Sequence, residues 1–181
     1  MNYDYDDSLL RAVISWIVEA AAVIALAWFC VYTFGSGEVN LGQSMSPAIL
    51  DGDRVLIDRA AVKLSRPERF DIILFSTEKS GNSIKRIIGL PGETVQIRDG
   101  EVLIDGEALK QPGESAPQKI AVAGQAENPL TLGEDEYFVL GDNRDASEDS
   151  RFDSVGLVER RNLIGKVWFR TAPFERMGRV K

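Results

Sequence analysis

The sequence predicts a mainly β domain, sandwich-like or barrel-like, that is attached to one N-terminal transmembrane helix. Two patterns support this fold class. One predominantly apolar run, residues 12–34, is long enough to cross a lipid bilayer. Beyond it, apolar residues come in short runs separated by turn signals, as in strands. We therefore divide the chain into a short N-terminal segment (1–11), a transmembrane helix (12–34) and a β-rich domain (35–181).

The apolar run has 23 residues, which as an α-helix would extend about 35 Å, slightly more than the hydrocarbon core of a bilayer. Its C-terminal end is rich in aromatic residues, as expected at a membrane interface: Trp28, Phe29, Tyr32 and Phe34. Glu19 is the one charged residue in the run. We expect its carboxyl to reach the interface or to be protonated, and a functional intramembrane carboxylate is the alternative.

A removable signal peptide is the main alternative for this run. The run is long for such a peptide, the segment before it is acidic, and no Ala-x-Ala sequence follows. Arg11 is the only basic residue before the run, and the next one after it is Arg54. This distribution favours a cytoplasmic N-terminus and an extracytoplasmic domain at the cell membrane, with a single membrane passage.

Seven strands are predicted beyond residue 35, because each run is short and rich in branched or aromatic side chains. They cover residues 54–58, 71–75, 83–88, 95–98, 101–104, 137–140 and 163–169. Asp99-Gly100 suits a type I′ turn, so the strands on either side of it should form a hairpin. We expect single helical turns after Pro47 and near Asp149, and a loop over residues 111–128.

The composition excludes several classes of site. Acidic residues outnumber basic ones by 28 to 21, which gives a net charge of −7 and argues against binding to nucleic acid. The chain has no histidine, so neither a Ser-His-Asp triad nor a two-histidine zinc site can form. Its single cysteine, Cys30, excludes an internal disulfide and a Cys-x-x-Cys motif.

A short loop from Gly42 to Pro47 reads Gly-Gln-Ser-Met-Ser-Pro and follows closely on the apolar run. Gly42 allows the backbone to approach closely, and Pro47 keeps the segment out of a sheet. Such a loop can expose the Ser44 hydroxyl and direct backbone N–H groups to one point, as an oxyanion hole requires. A serine in a loop is more often only a turn residue. If Ser44 is a nucleophile, a neutral lysine is the main known substitute for histidine as its base.

Lys85 lies among isoleucines on a predicted strand, beside Arg86, whose side chain must point to the opposite face. An edge strand with cations that reach solvent would explain both residues. Alternatively, Lys85 faces the apolar interior, where burial lowers the pKa of its amine. Each unit by which the pKa falls below its usual value of about 10.4 raises the neutral fraction near neutral pH roughly tenfold.

A third polar segment, from Gly141 to Arg151, follows a predicted strand and reads GDNRDASEDSR. As a charge-rich loop it would be solvated. Its density of short polar side chains also suits a hydrogen-bonded shell that supports a buried active site. Its composition alone leaves both interpretations open.

In combination, these three segments resemble those of bacterial type I signal peptidases, the serine/lysine enzymes that remove signal peptides from exported proteins. The resemblance covers residues 41–50, 53–55, 71–75, 85–93 and 141–151, followed by Gly165-Lys166. The order of the motifs and their position after an N-terminal membrane helix also agree. The single anchor and the short loop are similar to the compact form that is common in Gram-positive bacteria.

The resemblance implies that the β domain is catalytic, with Ser44 as the nucleophile, Lys85 as the general base, and no metal or cofactor. It also implies that Ser147 orients the Lys85 amine by a hydrogen bond, and that the Ser44 N–H is one oxyanion donor. The remaining implied roles are an Asp149–Arg151 pair that braces the loop, an Asp142–Arg86 pair, and substrate contacts by Met45 and Ile84.

Two positions depart from the pattern of relatives. Gly42 stands two residues before the nucleophile, where some relatives carry a second hydroxyl. Ser83 stands two residues before the lysine, where many carry an aromatic residue. The second oxyanion donor and the wall of the S1 pocket, which holds the residue before the scissile bond, are therefore open.

The expected reaction is acyl transfer, in which neutral Lys85 removes the Ser44 proton and Ser44 forms an ester that water hydrolyses. The expected partners are preproteins with signal peptides of the Ala-x-Ala type, bound by strand addition, and membrane lipid.

Two other functions are possible for this sequence. One alternative is another serine/lysine peptidase of similar fold, such as a self-cleaving SOS repressor. Such repressors lack a membrane span and carry a DNA-binding domain, for which this chain has no room. The other is a non-enzymatic, membrane-anchored β module. No pattern predicts an oligomeric state.

Overall fold

The computed structural model describes residues 4–78, 81–111 and 119–180. This part of the chain contains a long helix, α1 (Asp4–Phe34), a short helix, α2 (Arg59–Leu64), and twelve strands. The strands are β1 (Ser36–Val39), β2 (Arg54–Asp58), β3 (Ile72–Thr77), β4 (Gly81–Gly89), β5 (Thr94–Arg98), β6 (Glu101–Ile104), β7 (Glu107–Ala108), β8 (Leu130–Thr131), β9 (Glu136–Leu140), β10 (Val158–Glu159), β11 (Leu163–Ala172) and β12 (Gly178–Arg179).

The strands form two sheets, and the prediction of a mainly β domain is confirmed. The larger sheet has the order β1-β2-β11-β3-β4-β9-β10, with β12 paired to β11, and the smaller has the order β7-β6-β5-β8. Neighbouring strands are antiparallel throughout both sheets. β5 and β6 form the predicted hairpin, with positive φ angles of 54° at Asp99 and 82° at Gly100, as a type I′ turn requires.

All seven predicted strands are present, with ends that differ from the predicted ones by at most three residues. The sequence missed α2, where the Asp58 carboxylate accepts hydrogen bonds from the N–H groups of Ala60 and Ala61 and so caps the first turn. It also missed the short strands β1, β7, β8, β10 and β12. Each has two to four residues, and no apolar pattern can develop over that length.

The expected turns and loop are present in part. Residues 44–48 form a turn around Pro47, and a 3₁₀ helix lies at Arg144–Ala146, just before Asp149. Within the expected loop, Gly124–Glu127 form another 3₁₀ helix. Residues 112–118 of that loop lie outside the described residues.

Helix α1 has the length and composition of a membrane span. Its segment Leu9–Thr33 has a mean hydropathy of 2.1, and its most apolar 18 residues are not buried against the β domain. Thr33, at the C-terminal end, is buried. A signal sequence meets the same criteria. The helix begins eight residues before the predicted start at residue 12, because the acidic residues ahead of the apolar run also adopt helical backbone.

The larger sheet is covered on both faces, which explains why its central strands read as nearly continuous apolar runs. On β3, Ile72 and Leu74 pack in one cluster with Met45. The alternate residues Ile73 and Phe75 pack in a second cluster on the other face. Any polar side chain in the middle of this sheet must therefore be buried.

Candidate active site

Strand β4 carries two adjacent buried cations. It lies between β3 and β9 in the larger sheet, so the interpretation of Lys85 and Arg86 as cations on an edge strand is wrong. Lys85 is 6% exposed and Arg86 is 4% exposed. Their side chains leave the strand on opposite faces, and the structure gives them different partners.

The Lys85 amine lies next to the predicted nucleophile. Its Nζ donates a hydrogen bond to Ser44 Oγ at 2.8 Å. Ser44 begins the turn of residues 44–48, and the N–H of Ile49 donates to the carbonyl of Met45 at 2.9 Å. Met45 and Ile49 are fully buried, so their side chains hold this loop in the core while half-buried Ser44 faces the amine.

Burial favours the neutral form of the amine, which is the form that can accept a proton. It lowers the pKa of Lys85 from 10.5, because the charged form loses its hydration. The carboxylates of Asp149 and Glu148 oppose this shift, in that order, but do not cancel it. The amine therefore releases its proton more readily than an exposed lysine, as a general base requires.

Side chains around the Ser44 loop hold its backbone in place. Asn40 Nδ2 donates to the carbonyls of Gly42 at 3.2 Å and Leu50 at 3.0 Å, one at each end of the loop. Gly42 has a φ of +91°, which glycine adopts most readily. Its N–H donates to Asp51 Oδ1 at 2.7 Å, so in this structure it is not free to serve as the second oxyanion donor.

The Ser44 N–H, which the resemblance implies as one oxyanion donor, is not engaged in this way. Among the described residues, no acceptor forms a hydrogen bond with it. This leaves it available to a developing oxyanion, as the resemblance implied.

A buried carboxylate that the sequence analysis did not select braces the same loop. Asp53 is fully buried and accepts a hydrogen bond from the Leu50 N–H at 2.9 Å. It also pairs with Arg170 Nη1 at 3.3 Å and with Arg176 Nη2 at 2.6 Å. These arginines follow 117 and 123 residues later in the chain. No local signal could have identified them as partners.

The polar segment from Gly141 to Arg151, which we call the support loop, is mostly buried or half-buried, although Asp145, Ala146 and Glu148 are exposed. Asp149 Oδ1 accepts from Arg151 Nε at 2.8 Å, and Asp149 Oδ2 accepts from Arg151 Nη2 at 3.0 Å and from the Gly141 N–H at 3.0 Å. The Asp149 and Arg151 side chains are 0% and 2% exposed. This pair therefore links the two ends of the loop.

The support loop forms hydrogen bonds with the two chain segments that carry Ser44 and Lys85. Asp142 forms a two-point ion pair with Arg86, at 2.7 Å to Nε and 2.6 Å to Nη2. The N–H of Asn143 donates to the carbonyl of Ser44 at 3.0 Å. A Cβ at Gly141 would lie 2.5 Å from that carbonyl oxygen, so only glycine allows the two segments to approach this closely.

A cavity of about 460 Å³ opens onto Ser44 and Lys85. The other lining residues are Leu41, Gly42, Gln43, Ser83, Ala146, Glu148, Ser154 and Val155. The wall at Ser83 is thus formed by a small polar side chain. The cavity can hold an extended peptide segment beside the dyad.

Residues 13–172 match the family described as signal peptidase, peptidase S26. The chain belongs to this family. It is 28% identical to signal peptidase IB of Staphylococcus aureus (strain COL), over 91% of this chain and 92% of that protein. It is 35% identical to signal peptidase I of Bacillus licheniformis, over 74% of each chain. A signal peptidase I of Enterococcus faecalis V583, known from a crystal structure, is 36% identical, with a TM-score of 0.44 over 56% of this chain and 97% of that chain.

Within this family member, three side chains are placed differently from what the resemblance implied. The Ser147 Oγ is buried but has no hydrogen-bond partner in the described part of the chain, so its predicted bond to Lys85 is not formed in this structure. Met45 is fully buried and Ile84 is 8% exposed, and both pack in a core cluster. Neither lines the cavity, because core packing directs both side chains away from it. The orienting role of Ser147 and the substrate contacts of Met45 and Ile84 stay predictions.

Proposed function

We propose that this protein is a membrane-anchored signal peptidase that removes signal peptides from exported preproteins, with Ser44 as nucleophile and Lys85 as general base. The observation that carries the proposal is the 2.8 Å contact between Lys85 Nζ and Ser44 Oγ. The amine is buried, its pKa is lowered, and the pair opens onto a cavity. Family membership supports the same function.

The reaction is acyl transfer in two halves. Neutral Lys85 accepts the Ser44 proton while Ser44 Oγ attacks the scissile carbonyl carbon. The resulting oxyanion receives a hydrogen bond from the Ser44 N–H. The Lys85 ammonium then gives its proton to the leaving amine, which releases the mature protein and leaves an ester on Ser44. Lys85 next removes a proton from water, which attacks the ester and restores the serine.

The membrane helix places the enzyme with its substrate. In the proposed topology, residues 1–11 are cytoplasmic, residues 12–34 cross the cell membrane once, and residues 35–181 are extracytoplasmic. A signal peptide occupies the same membrane, so anchoring raises its effective concentration at the cavity and allows weak intrinsic affinity. In the proposed substrates, small residues of the Ala-x-Ala type occupy the first and third positions before the scissile bond.

Cleavage of a preprotein with an Ala-x-Ala site tests the assignment. We expect the Ser44→Ala variant and the Lys85→Ala variant each to lose about 10⁴-fold or more in kcat/KM, as knockouts of serine protease dyads and triads do. Ser65→Ala and Lys110→Ala are matched controls at exposed positions and should cleave at the wild-type rate. Residual activity within tenfold of wild type in either dyad variant would overturn the assigned roles.

A further inference from the structure

Three cations without carboxylate partners lie close together at helix α2. Arg59 and Lys63 are one helical turn apart and therefore lie on the same side of α2, and Arg66 follows the helix by two residues. We call these three residues the basic patch. Within residues 4–78, 81–111 and 119–180, no carboxylate forms an ion pair with any of them. Such a local excess of positive charge is unusual in a chain of net charge −7.

The basic patch lies against the C-terminal end of α1. The Arg59 guanidinium is 5.9 Å from the centroid of the Tyr32 ring, within the range of a cation–π interaction. Tyr32 stacks on Trp28, with ring centroids 5.4 Å apart and an interplanar angle of 12°. These aromatic residues mark the level at which a spanning α1 would leave the hydrocarbon core. The patch is therefore at headgroup level.

Other features of α2 suit the same environment. Leu64, next to Lys63, is 85% exposed, while Val62 on the other side of the helix is buried in the core. An exposed leucine beside cations is typical of a segment at the boundary between headgroups and acyl chains.

The charged groups around the patch do not neutralise it. The Asp58 carboxylate is used to cap α2, and Glu68 is exposed beyond Arg66. Arg160 adds a further cation, since its Nη2 donates to the carbonyl of Ser65 at 3.3 Å. The patch thus presents net positive charge on the side of the domain that lies nearest to α1.

We propose that the basic patch binds the phosphate groups of anionic lipids in the leaflet that holds the C-terminal end of α1. The remainder of the domain is acidic and is repelled by an anionic surface, so this contact decides which side of the domain faces the membrane. The inference rests on the proposed anchoring by α1. It is independent of the roles of Ser44 and Lys85.

The full chain in lipid vesicles tests the contact through the reactivity of Lys63. The vesicles consist of phosphatidylcholine alone or of phosphatidylcholine with a minority of phosphatidylglycerol, and a membrane-impermeant reagent acetylates exposed amines. We expect Lys63 to react about fivefold more slowly in the anionic vesicles. The reason is that attraction to an anionic surface strengthens the binding of each basic side chain by roughly fivefold. High salt should remove the difference. Lys110, which is exposed and follows β7 of the smaller sheet, should react equally fast in both kinds of vesicle.

An anionic surface also lowers the local pH, which by itself slows the acetylation of a nearby amine. A double variant separates this effect from lipid binding by the patch. Arg59→Gln with Arg66→Gln leaves Lys63 as the reporter and should abolish most of its protection. The matched control, Arg98→Gln with Lys119→Gln, removes two exposed cations elsewhere and should leave the protection intact. Equal reactivity of Lys63 in both vesicles, or unchanged protection in the patch variant, would overturn the proposal. Failure of the protein to float with the vesicles would overturn the anchoring as well, whereas preprotein cleavage reports separately on the dyad.

Discussion

The two faces of strand β4 each bury one cation, and the partners that surround these two cations differ. On one face, Arg86 forms a two-point ion pair with Asp142 and donates a further hydrogen bond to the carbonyl of Phe70 at 2.9 Å. On the other face, the Lys85 amine contacts the neutral hydroxyl of Ser44. Among the described residues, no carboxylate lies within ion-pair distance of Lys85. Adjacent residues with similar burial therefore experience very different electrostatic environments.

The difference separates a structural charge from a reactive one. A guanidinium stays protonated at all accessible pH values, so burial of Arg86 requires a partner such as Asp142. An ammonium can lose its proton, and burial without an ion-pair partner favours the neutral amine. The region around Arg86 thus suits a structural charge, and the region around Lys85 suits the general base that we propose.

Replacing Lys85 by a second arginine should have the largest effect on activity. In the Lys85→Arg variant the base is replaced by a group that cannot become neutral, and we expect kcat/KM to fall by about 10⁴-fold or more. The measurement is cleavage of the preprotein, with circular dichroism as a check on folding. A folded variant that retains a tenth of the wild-type rate would contradict the role of Lys85 as a base.

Breaking the paired region should destabilise the protein. Asp142→Asn leaves the Arg86 guanidinium buried without its counter-ion, and we expect the free energy of unfolding to fall by about 3–5 kcal/mol. Glu159→Gln is the matched control, since its pair with Arg161 has side chains that are 43% and 78% exposed and should contribute about 0–1 kcal/mol. Denaturant unfolding measures both variants. Equal stability of the two would refute the assigned role of the buried pair.

The contact between the support loop and the Ser44 loop can be tested at Gly141. A Cβ there would lie 2.2 Å from Ser147 Oγ and 2.5 Å from the Ser44 carbonyl oxygen. We expect Gly141→Ala to cost about 1–3 kcal/mol of stability and to lower kcat by displacing Ser44. The control is Gly178→Ala, because a Cβ at Gly178 meets no atom within 4 Å. Wild-type kcat in the Gly141 variant would show that this approach does not position the nucleophile.

The smallest expected effect is a change in the pH profile. Because the neutral amine is the active form, kcat/KM should rise with pH through a pKa of Lys85 below 10.5. The Glu148 carboxylate stabilises the ammonium, so Glu148→Gln should lower this pKa further and move the acid limb to lower pH. Glu101→Gln, exposed on β6, serves as the control. A shift of the acid limb to higher pH would contradict this electrostatic account.

Residue chemistry made Ser44 and Lys85 candidates, and the resemblance to signal peptidases implied their roles, but neither identified everything that surrounds them. An absent histidine, a serine in a loop and a lysine among isoleucines drew attention to the two residues before any coordinates. The bracing of Asp53 by Arg170 and Arg176 could not be found in this way, because a sequence pattern of ordinary length does not connect residues more than 100 positions apart. The burial of Met45 also depended on packing between separate segments.

The long strands, the β5–β6 hairpin and the apolar helix α1 could be predicted from local patterns, because each depends on a period or a turn that neighbouring residues set. The inner position of β4, and with it the burial of both Lys85 and Arg86, became known from the assembled sheet. So did the carboxylate that lies opposite Arg86. Burial and pairing arise when segments from distant parts of the chain come together, and the pKa of a side chain depends on both.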